Sequence, residues 1–397
     1  MSDSPRLRIA PPEFCSDPAI AALFAILPEA RLVGGAVRDV LAGRPPADLD
    51  MASPLPPDEV VARLKAAGVK SVPTGLAHGT VTAVLPGRTV EITTLRRDVE
   101  TDGRHAVVAF TDDWREDAAR RDFTVNAMSM TPGGSVFDYF GGLEDLRAGR
   151  LRFVGEPAAR IAEDYLRVFR FFRFFARYAT LPPDEATLAA LRGAVPHLGG
   201  LSVERIWNEV FRILAAPDPR RALALMDELG VLAVAVPEGT DLAALSRTID
   251  AGAPPDPVLR MAALLAGDKL AFSKRLKLSL LDRDRLIAFR AAPLAKPGDG
   301  DVVLRRLLAE TPAEVLIGRT WLAGAGGRAW DELRRRLRAM TPPVFPLEGR
   351  DILALGSPPG PRVGAVLRSA RAWWMADGCQ ADATACLAAA RRAIDAG

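Results

Sequence analysis

The sequence predicts an α+β protein: a mixed head of about 150 residues followed by an all-helical remainder. Three observations carry this prediction. From Leu32 to about Phe140, β-branched runs alternate with helical periodicity. Pro86-Gly87 separates Thr80–Leu85 from Arg88–Leu95, two strand-like runs that read as a hairpin. After Gly149 strand signals fade, and Asp-Pro, Pro-Pro and Gly-rich stretches punctuate segments of helical period.

In chain order, Leu32-Val33 reads as the end of a strand and Gly34-Gly35 as a strand-to-helix turn whose bare backbone can approach phosphate. The helix that follows starts near Ala36, turns its amino-terminal dipole toward an anion, and carries Arg38 on its first turn. A further helix is expected over Asp58–Ala67, ahead of the hairpin. Beyond the head the periodicity predicts helices over Ala158–Tyr178, Asp184–Arg192, Val203–Ala215, Pro219–Leu229, Pro257–Ala266 and Asp331–Met340.

A chain of 397 residues is too long for one core and suggests about two to four units. Its 49% hydrophobic and 25% charged residues are ordinary for a globular protein. No apolar run reaches the roughly 18 residues of a membrane span, and neither a secretory h-region nor a transit peptide is evident, so a cytoplasmic protein without membrane partners is expected. Cys15, Cys379 and Cys386 are too scattered for a disulfide framework or zinc ribbon. None of His78, His105 and His197 is followed by Asp, which excludes a His-Asp phosphohydrolase. Net charge is only +3, so distribution says more than sum. Lys274, Arg275 and Lys277, and Arg334, Arg335, Arg336 and Arg338, form clusters able to neutralise a phosphate backbone, although solvated helix faces produce such clusters too.

The chemistry begins with Asp48 and Asp50. On an extended segment, side chains two apart point the same way, so both carboxylates can hold one hard divalent cation. A lone Asp-x-Asp is also common in surface turns, and the glycine pair upstream raises the phosphoryl reading. Arg120, Arg121, Asp122 and Asn126 form a second group, suited to gripping and orienting a triphosphate. A third lies on the segment Glu163–Tyr178, where helical spacing makes Asp164 and Arg167 neighbours and draws Arg170, Arg173 and Arg177 into a basic stripe among phenylalanines.

Together these stretches resemble the class II nucleotidyltransferases, the family of tRNA CCA-adding enzymes and bacterial poly(A) polymerases. The matching segments are Gly34-Gly-Ala-Val-Arg-Asp39 with Asp48-Leu-Asp50, Arg120-Arg-Asp-Phe-Thr-Val-Asn-Ala127, Glu163-Asp-Tyr-Leu-Arg-Val-Phe-Arg170 and Leu201-Ser-Val-Glu-Arg-Ile206. Phe345–Leu353 with Gly360-Pro361 extends the resemblance into the tail. It implies a head like that of DNA polymerase beta, a mixed sheet with helices, over 1–150. A neck with a nucleotide-selecting helix (151–215), a helical body (216–300) and a tRNA-binding helical tail (301–397) would follow.

The resemblance also implies roles. Asp48 and Asp50 would ligate two magnesium ions, with Glu91 as a third carboxylate. Gly34, Gly35, Arg38, Arg120, Arg121 and Asn126 would contact the nucleotide, chiefly its triphosphate. Asp164 and Arg167 would act as a protein template that accepts C and A, and Arg170 and Arg173 would serve nucleotide phosphate or the RNA end. Arg96–Phe110 matches the flexible loop used in switching from C to A, and Thr74–Val81 resembles CCA-adding enzymes more than poly(A) polymerases. The expected activity is completion of the tRNA 3′ CCA end from CTP and ATP. The alternatives are a poly(A) polymerase and a non-catalytic RNA-binding homologue.

Overall fold

The computed structural model describes residues 3–46, 48–75, 79–101 and 106–395. The chain divides into two units, Met1–Ala235 and Val236–Gly397.

In the first unit the head runs β1 (Leu7–Arg8), α1 (Pro18–Ile26), β2 (Arg31–Val33), α2 (Gly35–Leu41), β3 (Asp50–Ser53) and α3 (Pro57–Ala66). It continues through β4 (Lys70–Gly75), β5 (Thr80–Leu85), β6 (Arg88–Thr94), β7 (Arg96–Thr101) and β8 (Ala106–Phe110) to α4 (Trp114–Ala119), β9 (Met128–Met130), β10 (Ser135–Asp138) and α5 (Gly142–Ala148). Eight strands form one mixed sheet in the order β1-β10-β9-β2-β3-β6-β5-β4, while β7 and β8 pair separately. The hairpin is present as β5–β6, and β3 lies parallel to β6 with Asp50 opposite Glu91. The apolar faces of α1 and α3, Ile20, Leu23 and Phe24 with Val60 and Leu64, bury against Leu32, Met51, Val81, Ile92 and Met130 of the sheet. The sheet therefore has a packed face and a face free to carry chemistry.

The remaining helices of this unit include α6 (Pro157–Glu163), α7 (Leu166–Tyr178), α8 (Glu185–Ala194), α9 (Val203–Leu214) and α10 (Arg220–Glu228). Val168, Phe169, Phe171, Phe172, Phe174 and Phe175 of α7 are buried, and α7 packs on α9 and α10. Phe123 and Phe153 of the head meet Phe171 at 6.1 and 5.8 Å between ring centroids, so the aromatic stripe fastens α7 to the head.

The single helix expected over Ala158–Tyr178 is two helices. Asp164 is extended (φ −154°, ψ 106°), and its carboxylate accepts from the Leu166 amide at 3.0 Å. An aspartate that can satisfy an otherwise unpaired backbone donor favours a helix start over a helix interior, which is why the apolar period runs on while the backbone does not.

The second unit is helical, from Leu242–Asp250 to Ala383–Asp395, with helices at Pro257–Leu264 and Arg328–Ala339 close to the expected spans. One core gathers Leu304, Leu308, Leu316, Leu333 and Leu337, and another Ile352, Val366, Trp374, Cys386 and Ala390. All three cysteines are free and buried. Among the described residues no helix is long and apolar enough to cross a membrane.

Candidate active site

A cleft of about 980 Å³ opens between the sheet and α7. Its wall contains ten arginines and five aspartates, a strongly positive surface with carboxylates at defined points. Gly34, Gly35, Arg38, Asp48, Asp50, Arg120, Arg121, Asn126, Asp164, Arg167, Arg170 and Arg173 all line it, so these residues of three separate sequence segments share one cleft.

The turn between β2 and α2 works as its glycines suggest. Gly34 has φ +64°, and a Cβ there would stand 2.9 Å from Arg121 Nη1. Any side chain would be strained by the backbone and would displace an arginine. Asp50 opens β3 just after Asp48. Burial, then the charge of Glu91, raise the Asp50 carboxyl above its ordinary value; Arg121 pulls the other way and Asp48 adds to the rise. Negative charge gathered around a half-buried carboxylate suits a cation. Glu91 contributes charge beside Asp50 but is not among the residues of the cleft wall. Among the described residues no three acidic, histidine or cysteine side chains form a ready-made metal cage. Two carboxylates that leave the other positions to phosphate and water are a common way to bind magnesium, so Asp48 and Asp50 fit such an ion.

Asp117, which the sequence reading left without a role, holds both arginines of the second group. It is buried and receives Arg120 Nε at 2.9 Å and Arg121 Nη2 at 3.1 Å. Although burial acts against ionisation, these two arginines hold its carboxyl below the usual range. Asp122 is also buried; it accepts from Arg170 Nε at 2.8 Å and Asn126 Nδ2 at 3.0 Å, and Arg170 overcomes desolvation to keep its carboxyl low. Asn126 Oδ1 in turn accepts from Arg38 Nη1 at 2.5 Å. A continuous hydrogen-bonded chain thus links Arg170 on α7 to Arg38 on α2.

Arg170 and Arg173 face the cleft as the helical period requires. Phe174 lies 4.9 Å from the Arg38 guanidinium carbon, 5.7 Å from that of Arg170 and 4.4 Å from that of Arg173. One apolar ring therefore spaces three cations that would otherwise repel. Arg173 pairs with buried Glu209 at 3.1 Å, yet burial, with Arg170 and Arg212 nearby, brings it down to about 10, still charged at neutral pH.

Asp164 and Arg167 share the cleft but do not pair with each other. The break before α7 turns Asp164 toward Arg205 of α9, whose Nη2 donates to it at 2.8 Å. Arg167 pairs with Glu163 and donates to the Arg160 carbonyl at 2.7 Å. This replaces the expected i, i+3 neighbours on one continuous helix face. Arg205 falls within the Leu201–Ile206 motif, which was the available signal for it. Asp39, Arg96, Arg177, Tyr178 and Arg212 also line the cleft.

Two sequence-level stretches are only partly described. Asp102–His105 of the expected C-to-A loop lies outside the described residues, while its flanks form the β7–β8 ribbon with Arg96 opposite Phe110. Leu76, Ala77 and His78 of Thr74–Val81 also lie outside them.

In the second unit the basic clusters separate by burial. Lys274, Lys277, Arg335 and Arg338 are exposed, Arg335 pairing with Glu332 at 2.6 Å. Arg275 pairs with Glu238 at 2.7 Å and Arg336 with Asp301 at 2.7 Å. Arg334 is no surface cation: it is 3% exposed, stacks 3.1 Å from the Trp321 ring, and donates to Thr320 Oγ1 at 2.8 Å, Asp331 and the Ala325 carbonyl. Arg334 is therefore not part of an exposed basic surface for RNA. Buried under the Trp321 ring and held on three sides by the fold, this guanidinium is not presented to a surface phosphate.

Comparison with known proteins agrees with this geometry. Residues 30–152 match the family described as "Poly A polymerase head domain", and residues 181–242 one described as "Probable RNA and SrmB- binding site of polymerase A". The chain is 37% identical over 366 residues to "CCA tRNA nucleotidyltransferase 1, mitochondrial" of Danio rerio, covering 87% of this chain and 83% of the relative. It is 42% identical over 206 residues to a CCA-adding enzyme of Geobacillus thermodenitrificans, 51% of this chain and 50% of that one. A solved structure of the Bacillus stearothermophilus CCA-adding enzyme in complex with CTP superposes with a TM-score of 0.71 at 28% identity, over 91% of this chain and 93% of the other. The Thermotoga maritima CCA-adding enzyme complexed with tRNA shares the fold, with a TM-score of 0.63 at 20% identity over 95% and 96% of the two chains. A carboxylate pair and a wall of arginines in one cleft, carried by a chain alike over most of its length to such relatives, place this protein in the class II tRNA nucleotidyltransferase and poly(A) polymerase family.

Proposed function

We propose that the protein builds and repairs the 3′-terminal CCA of tRNA, adding C and A from CTP and ATP without a nucleic-acid template. The observation that carries this reading is the shared cleft: Asp48 and Asp50 on the sheet side face the same space as Asp164 and Arg167 on the helical side. One nucleotide can therefore meet a phosphoryl-transfer centre and a base selector at once.

Asp48 and Asp50 would hold magnesium, two ions being expected, which would supply activation of the RNA 3′-hydroxyl and stabilisation of departing pyrophosphate. Gly34 and Gly35 let the triphosphate approach the backbone, while Arg38, Arg120 and Arg121 offset its charge. Arg170 and Arg173 serve phosphate or the RNA end. The hydroxyl attacks the α-phosphorus as the bond to the β-phosphate breaks.

Asp164 accepts a hydrogen bond from the exocyclic amino group of C or A, and Arg167 donates to the ring nitrogen beside it. U and G present a keto oxygen and a ring N–H at these places, leaving both protein groups mismatched. Such a mismatch costs several kcal/mol, roughly a thousandfold in preference. Arg205, bonded to Asp164, supports this role by fixing one carboxylate oxygen.

Helices of the neck, body and tail are proposed to hold tRNA by shape and backbone, with Lys274, Lys277, Arg335 and Arg338 as exposed candidates; Arg275, Arg335 and Arg336 also form ion pairs. Residence in the cytoplasm belongs to the same proposal; the Danio rerio relative is named mitochondrial, and fractionation of native cells decides between compartments. The defining assay supplies tRNA ending before CCA, magnesium, and CTP or ATP alone or together. Three additions with both nucleotides, then arrest, support the reading. Long A tracts from ATP alone, or no incorporation, refute it.

A further inference from the structure

At the far end of α7 from Arg167, about 16 Å along the axis, Tyr178 reaches back to the glycine turn. Its hydroxyl donates to Asp39 Oδ1 at 2.6 Å. The same carboxylate oxygen accepts Arg38 Nε and Nη2, each at 3.1 Å. The Tyr178 ring lies under Arg38, 4.4 Å from the guanidinium carbon, with Phe174 at 4.9 Å. Arg38, Asp39 and Tyr178 all line the cleft. Side-chain exposure is 9% for Arg38 and 13% for Asp39, so solvent screens this group little.

A guanidinium has five N–H donors. Asp39 and Asn126 occupy three on Arg38, and two remain for a ligand. Asp39 fixes the plane of Arg38 but also draws on its charge. A hydroxyl bonded to Asp39 spreads that negative charge, which leaves the cation more available to an anion in the cleft. The aromatic faces prevent tilt. Tyr178 sits on the helix that carries Arg167, so its bond also ties the base-selecting helix to the phosphate-side arginine.

We propose that Tyr178 and Asp39 are positioning residues for nucleotide binding, clamping Arg38 so that its two remaining donors meet the triphosphate. The inference deepens the reading of the cleft given above and rests on its assignment of Arg38 to phosphate. Burial, more than the bond to Asp39, raises the Tyr178 pKa against the pull of Arg38, which agrees with a hydroxyl that keeps its proton as a donor.

The test is equilibrium binding of CTP and of CMP, by titration calorimetry in magnesium without RNA, to wild type, Tyr178→Phe and Asp39→Asn, with steady-state kinetics on tRNA beside it. Tyr178→Phe keeps the ring and loses only the hydroxyl. It is expected to weaken CTP binding roughly tenfold, the factor one hydrogen bond to a charged acceptor is worth. CMP affinity should change less than twofold, KM for CTP and ATP should rise together, and kcat and preference for C and A should hold. Asp39→Asn should give the same pattern more strongly. CTP affinity within twofold of wild type in Tyr178→Phe, or equal losses for CTP and CMP, overturns the clamp. Wild type that binds CTP but leaves tRNA unextended refutes the activity instead, and the binding comparison still decides the clamp.

Discussion

Arg205 Nη2 holds Asp164 Oδ2 at 2.8 Å, while Asp164 Oδ1 caps the Leu166 amide at 3.0 Å. The carboxylate proposed for base choice is therefore held by a second helix. Asp164→Ala is expected to remove the acceptor for the exocyclic amino group and raise UTP and GTP incorporation relative to CTP by at least about tenfold. Arg205→Ala keeps the acceptor but frees its geometry; kcat/KM for CTP should fall about tenfold with a smaller loss of selectivity. Competition assays with paired nucleotides measure both. Unchanged C and A preference in Asp164→Ala removes the template role.

Asp50 joins function to a stability cost. Its folded carboxyl titrates above the ordinary value because of burial, then Glu91. A raised carboxyl pKa means that the contribution to stability is full below the unfolded value and is lost as pH rises through the folded one. Asp50 in its ionised form therefore opposes folding. Asp50→Asn should abolish incorporation and yet raise the metal-free melting temperature. Millimolar magnesium should raise the melting temperature of wild type and leave Asp50→Asn unmoved. Differential scanning fluorimetry reads both, and a lower melting temperature in metal-free Asp50→Asn contradicts the electrostatic account.

Asp117 and Asp122 act with the opposite sign. Their folded carboxyls titrate below the ordinary 3.8, held by Arg120 and Arg121 and by Arg170. Depressed values mean that the stabilisation is complete above pH 3.8 and is lost as pH falls through the folded pKa. Asp122→Asn should destabilise by about 2 kcal/mol at pH 7, discounted for the part-exposed Arg170 side chain, and flatten the acid limb of stability. Urea unfolding across pH measures the change. An acid limb as steep as in wild type counts against this carboxylate.

Arg334 and its exposed neighbours should separate in experiment. Arg334→Ala deletes bonds to Thr320 and Ala325 and the stack on Trp321, and should lower stability by about 2 kcal/mol. Lys274→Ala with Lys277→Ala should weaken tRNA binding with a shallower salt dependence. Filter binding at several salt concentrations, beside thermal melts, checks the pair. Salt slopes unchanged by the lysine variants remove those lysines from the RNA surface.

Local features were legible in the sequence because the causes are local. The Gly34-Gly35 turn, the hairpin at Pro86-Gly87 and the close placement of Asp48 and Asp50 each follow from a few adjacent residues. The break at Asp164 was hidden because the Phe-rich period runs across it, and only a capping carboxylate distinguishes the two helices. Partners far along the chain were also hidden: Arg205 lies 41 residues from Asp164, and Tyr178 lies 139 from Asp39. Arg334 misled for a related reason. Its run of basic neighbours reads as a solvated face, while the aromatic ring and carbonyl that enclose it come from elsewhere in the fold.

The central claim is that one cleft performs nucleotidyl transfer and chooses the base without a template. The most direct measurement offers all four nucleoside triphosphates at equal concentration to tRNA lacking its CCA end, and sequences the products. Wild type is predicted to yield C, C, A and then stop. Products extended by U or G, or by an unbroken run of A, would contradict the account.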